Sequence, residues 1–170
     1  APPGNASPYG VFTAAFVDAH AVPHVAVHAD GARVDIAPAE QTLVLDDVER
    51  PVVGAYAGGT TRREALGRIV GARSGDKGGS ANVGVWARSE DGFGWLASAL
   101  TVEEFRRLLP ETAHLPITRH VFPNLRALNF VVEDVLGQGV AFNARHDPQA
   151  KAIGEWLRSR LVDIPEGLLV

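Results

Sequence analysis

Between residues 72 and 85 the chain reads ARSGDKGGSANVGV, and it holds Lys77, one of only two lysines among 170 residues. No other stretch limits the possible fold as strongly. Gly75, Gly78 and Gly79 interrupt both helical and strand patterning, while apolar segments lie on either side. On the amino-terminal side LGRIVGARS reads as a strand with Leu66, Ile69 and Val70 among its apolar residues. On the other side NVGVWARS reads as a second, with Val83, Val85 and Trp86 among its apolar residues. Two strands joined by a glycine-rich loop are the expectation.

The remaining elements follow from spacing and punctuation. Residues 101–109 predict a helix, with Thr101 as cap, Glu104 three positions on and Pro110 as terminator. ITRHVF and LRALNFVVEDVL predict two more strands, joined through Pro123-Asn124. A second helix is expected after Asp147 as N-cap and Pro148 in the first turn, with Ile153, Trp156, Leu157 and Leu161 on one face and Pro165 at its end. The order strand, strand, helix, strand, strand, helix predicts an α+β, ferredoxin-like sandwich of an antiparallel sheet with two main helices.

Residues 1–60 differ in character. They carry two basic and seven acidic residues, against fourteen and thirteen in residues 61–170. After an irregular opening, PHVAVHADGARVDIAP alternates about Asp30-Gly31 and predicts a hairpin with Val25, Val27, Val34 and Ile36 inward. Gly58-Gly59 marks the expected boundary, giving a β-rich amino-terminal extension (1–60) and an α+β domain (61–170).

Composition excludes several chemistries. Without cysteine there is no disulfide, thiolate metal site or cysteine nucleophile. Without methionine the sequence has no initiator, and a fragment or trimmed chain is expected. There is no apolar run long enough to span a bilayer and no basic stripe interleaved with aromatics, so a cytoplasmic protein with no membrane or nucleic-acid partner is expected. His20, His24 and His28 recur every four residues, but Pro23 and the strand-like alternation oppose a shared helical face, and no metal is expected.

The loop offers chemistry of its own. Its glycines permit a concavity of exposed N–H groups that attracts anions. Arg73 and Lys77 add positive charge, Ser74 and Ser80 add hydroxyls, and Asn82 donates or accepts. Phosphate, carboxylate or the pantetheine-phosphate arm of an acyl-CoA would suit Arg73, Ser74, Gly75, Asp76, Lys77, Gly78, Gly79, Ser80 and Asn82 as a set. Asp76 opposes the field of Lys77 and is read as a brace. The competing reading is an ordinary hairpin connection, with Arg73 and Lys77 in solvent. Neither a P-loop nor a dinucleotide fingerprint fits the glycine spacing. A secondary set, His120, Asn143, Arg145 and His146, lies at a strand end and ahead of the last predicted helix.

The runs ARSGDKGG and ANVGV, with FNARHDPQAKAIGEWLRSRLVDIPEGLL after them, resemble the carboxy-terminal domain of the acyclic terpene utilisation (AtuA) family over residues 66–170. That resemblance implies a ferredoxin-like domain, normally preceded by a much larger one. It also implies work on acyl-CoA intermediates of acyclic terpenoid or branched-chain acid catabolism in a bacterium, with a CoA thioester as ligand and no further cofactor. The expected partner is a larger AtuA-type chain or further copies of this one. The resemblance supplies no catalytic residue. A non-catalytic assembly module that docks onto a larger catalytic chain is the alternative.

Overall fold

The structure, a computed structural model, describes residues 4, 5, 8, 10, 15–46, 49, 51–54 and 56–169. The chain divides into two compact units, one of them Ala14–Glu49. Within it β1 (His24–Val27) pairs antiparallel with β2 (Arg33–Ile36), Val27 opposite Arg33. Gly31, at φ 84°, makes the turn, and its amide donates to His28 O. The hairpin is where alternation predicts it, but its apolar residues are not inward. Val27, Val34 and Ile36 are more than half exposed and Val25 is partly exposed, because a lone two-stranded ribbon has no second layer to cover them.

The other unit centres on a four-stranded antiparallel sheet. Its strands are β4 (Val70–Lys77), β5 (Ser80–Ala87), β6 (Ile117–Phe122) and β7 (Ala127–Val132), in the order β4-β5-β7-β6. Helices α1 (Glu90–Ala99) and α2 (Val102–Leu108) connect β5 to β6, and α3 (Ile153–Ser159) follows β7. The result is a ferredoxin-like sandwich with one rearrangement. The edge position that a strand after the last helix would fill is taken by β4, the first of these four strands in the chain. The strand that does follow α3, β8 (Leu161–Pro165), instead pairs antiparallel with β3 (Thr61–Ala65), Thr61 opposite Pro165 and Ala65 opposite Leu161.

One face of the sheet makes the core. Val70, Val83, Val85, Leu128, Phe130 and Val132 alternate inward and meet Phe93 and Leu96 of α1, Phe105 and Leu108 of α2, and Ile153 and Leu157 of α3. Phe105 and Phe130 stack with ring centroids 4.4 Å apart. Beside this core Arg119 donates to Ala97 O, and burial lowers its guanidinium pKa from the usual arginine value. No helix among the described residues is long and apolar enough to cross a membrane.

Several expectations need correction. Leu66–Arg68 is a 3-10 turn, so the first strand begins at Val70. α2 starts where predicted, and the Thr101 hydroxyl accepts from the Glu104 amide at 3.1 Å, but Glu104 turns to Arg107 rather than back to the cap. α1 has no counterpart in the expected order. The last helix begins at Ile153, later than predicted, because both Asp147 oxygens close the preceding turn by accepting from the Lys151 and Ala152 amides at 2.8 Å. It also ends early: Leu161 is half exposed in β8, and Trp156 lies 39% exposed rather than in the core.

Candidate functional site

The expected glycine-rich loop is a tight hairpin. β4 and β5 pair along their whole lengths, from Val70 opposite Ala87 to Lys77 opposite Ser80, and only Gly78 and Gly79 lie between them. Gly78 has φ 63°, which suits the first position of a two-residue hairpin turn. Gly79 O accepts from the Leu136 amide at 2.8 Å, and a Cβ on Gly79 would lie 2.0 Å from Gly137 O. Extended strands send successive N–H groups to opposite edges, and β5 shares its ladder with both β4 and β7. The amides from 73 to 77 and from 80 to 82 therefore alternate between the two edges of their strands rather than point to one spot.

The same alternation sorts the side chains. Ser74 and Asp76 lie opposite the buried Val83 and Ala81, on the helix side. The Ser74 hydroxyl is taken up there, accepting from the Gly154 amide at 2.9 Å. Arg73, Gly75 and Lys77 share the other face with Ser80, Asn82, Gly84 and Trp86. Asp76 and Lys77 thus point to opposite faces, and Lys77 Nζ donates to Asp76 O at 2.9 Å. Across the ladder small residues confront large ones: Gly71 faces Trp86, Gly84 faces Arg73, Gly75 faces Asn82, and Ser80 faces Lys77.

β7 and β6 extend this surface. Gly84 lies opposite Asn129, and Asn129 opposite His120, so Arg73, Gly84, Asn129 and His120 form one row across four strands. Asn82 Nδ2 donates to Asn129 Oδ1 at 3.3 Å. His120 and Phe122 stack at 6.4 Å, and Trp86 and Phe122 are 42% and 43% exposed. Among the described residues no helix packs on this face: Arg73, Lys77 and His120 are exposed, and neither Arg73 nor Lys77 forms an ion pair. A Cβ at Gly75 would meet nothing within 4 Å. Glycine inside a strand often marks a place where a ligand or another backbone comes close, and Gly75 and Gly84 floor a shallow trough here.

The secondary set is not brought together. His120 belongs to the open face, whereas Asn143 braces its own loop, donating to Gly139 O at 2.9 Å and accepting from the Arg145 amide at 3.2 Å. His146 is exposed, and Arg145 is part-buried with Nε lacking a hydrogen-bond partner among the described residues. Trp86 lies in β5 with Val83 and Val85. Its even position places it on the other face, a parity visible in the sequence itself.

A separate cavity of about 440 Å³ lies where α1 and α2 meet the β3–β8 pair, lined by Leu66, Trp95, Leu100, Leu108, Arg63 and Arg107. Its charges satisfy one another. Arg107 reaches Glu104 at 2.6 Å and Arg63 reaches Asp163 at 3.6 Å. The Glu104 hydrogen bond and charge, with Asp163 behind them, raise the Arg107 pKa. No residue between 70 and 87 lines this cavity. No group of three or more His, Asp or Glu is placed to hold a metal ion among the described residues.

No curated protein and no solved structure matches this chain. The family model described as the AtuA ferredoxin-like domain matches residues 65–163, more than half of the sequence, from the end of β3 into β8. The chain belongs to the AtuA family through this ferredoxin-like domain.

Proposed function

We propose that this chain is the small subunit or carboxy-terminal domain of an AtuA-type protein acting on acyl-CoA intermediates of acyclic terpenoid or branched-chain acid catabolism. Its open sheet face, with Arg73, Lys77, Asn82, Asn129 and His120, holds an anionic part of the substrate and completes a site with a larger AtuA-type chain or a further copy of itself. Such a substrate places the protein in the cytoplasm. One observation carries this reading: two cations without an ion pair among the described residues share a sheet face with an amide pair and two glycines. The exposure of Arg73, Lys77 and His120 supports a site finished by a second surface rather than one complete in this chain. A non-catalytic docking module is the second reading, favoured by the exposed Trp86 and Phe122.

The test is calorimetric titration of an acyl-CoA ester into the chain copurified with its larger partner. Changing Arg73 and Lys77 together to alanine is expected to weaken binding at least tenfold, and the wild-type affinity should fall steeply with salt. Unchanged affinity in the double variant, with the complex intact, would leave the docking module as the better account.

A further inference from the structure

Trp86 is seated against Gly71. A Cβ added to Gly71 would lie 2.4 Å from indole Cε2 and Cζ2 and 2.7 Å from Nε1. The ring therefore covers the glycine directly across the ladder, while the residue remains 42% exposed. One side of the indole is backed by main chain. An aromatic side chain held in this way has little rotamer freedom left to lose when a planar group stacks on its open side.

The neighbouring groups match the rest of a nucleotide. Arg73 stands diagonally across from Trp86, about 7–8 Å away for positions so related, a separation suited to a sugar joining a base to its phosphate. Between them Gly84 leaves the floor bare, since a Cβ there would meet only Arg73 O at 3.6 Å and Asn129 Oδ1 at 4.0 Å. The bond from Asn82 to Asn129 leaves Asn82 Oδ1 as an acceptor and Asn129 Nδ2 as a donor, neither engaged by a described residue. Lys77 adds a second cation farther along β4.

We infer that the open sheet face binds a nucleoside phosphate, its base stacked on Trp86, its sugar over Gly84 and its phosphate held by Arg73 and Lys77. The inference rests on the reading given under Proposed function and deepens it: the nucleotide end of a CoA thioester, rather than its acyl arm, lies on this face. A mononucleotide fits the stacking seat at Trp86 and the two cations. A long single strand would call for the continuous basic track that the composition lacks.

The test is titration of the 170-residue chain with adenosine 3′,5′-bisphosphate, followed by tryptophan fluorescence, with phosphopantetheine and a single-stranded oligonucleotide as comparisons. The bisphosphate is expected to quench emission and to bind more tightly than phosphopantetheine. Trp86→Ala should weaken it about tenfold or more, and Trp86→Phe should stay within about threefold of wild type because a ring remains. Gly71→Ala keeps the tryptophan but pushes it off its seat, and should weaken binding as well. Equal affinity in wild type and Trp86→Ala, a phosphopantetheine that matches the nucleotide, or binding of the oligonucleotide alone would overturn the inference. Acyl-CoA binding that needs Arg73 and Lys77 but ignores Trp86 would sink this inference and leave the broader reading intact. A nucleotide that binds as tightly alone as in the thioester would do the reverse.

Discussion

Ser74 and Gly154, eighty residues apart, are joined by a 2.9 Å hydrogen bond from the Gly154 amide to the Ser74 hydroxyl. α3 starts after Ala152, which has no side-chain oxygen to cap it, so the strand β4 packed directly against the helix supplies the missing acceptor. Ser74 is 8% exposed, and its role is structural although it sits in the middle of the most distinctive motif. Ser74→Ala is expected to cost about 1 kcal/mol in urea unfolding and to leave ligand affinity on the open face unchanged.

The two turn glycines should behave differently. At Gly79 a Cβ would collide with Gly137 O, a backbone atom that cannot swing aside, whereas at Gly78 the space is open and only the φ of 63° resists a side chain. Gly78→Ala should cost about 1 kcal/mol, and Gly79→Ala about 3 kcal/mol or more. Thermal unfolding of the two variants side by side checks the order; a reversed order would refute the packing at the hairpin tip.

Phe105 is fully buried on α2 and stacks on Phe130 of β7. Truncating it to alanine opens a cavity and removes an aromatic pair, for an expected loss of about 3–5 kcal/mol. Chemical denaturation should show this as a lower midpoint with little change in slope.

Glu103, in the first turn of α2, has its carboxyl pKa lowered first by a backbone hydrogen bond, then by the Thr101 hydroxyl and by the charge of Arg106. Because the folded value lies below the unfolded one, the stabilisation is present above the ordinary glutamate range, near about 4.3, and disappears as pH falls through the folded value. NMR titration should find Glu103 among the more acidic glutamates. Glu103→Gln should flatten the acid limb of the stability profile.

The sheet was readable because period two is robust where one face is buried. β6 and β7 lie within ITRHVF and LRALNFVVEDVL, and β5 runs three residues closer to the turn than its apolar pattern shows. α1 was hidden because Gly92 and Gly94 lower helix propensity across EDGFGWLASA; both glycines are buried where the helix meets the core. β8 was hidden by Leu157 and Leu161, whose spacing of four continues a helix that long-range pairing with β3 ends after Ser159. At the candidate site the residues were legible but the geometry was not. Strict alternation through VGARSGDK and SANVGVWA already pairs each glycine with a larger neighbour across the ladder, a pattern masked when the glycines are taken as a loop.

The β3–β8 pair has a mechanical consequence. It sets Thr61 beside Pro165, so the chain enters and leaves the family domain at one spot. A load drawn through both flanks would peel that ladder open rung by rung rather than shear it. That ladder would part first, drawing Val162 and Ile164 of β8 out of the core before the strain reached the four-stranded sheet.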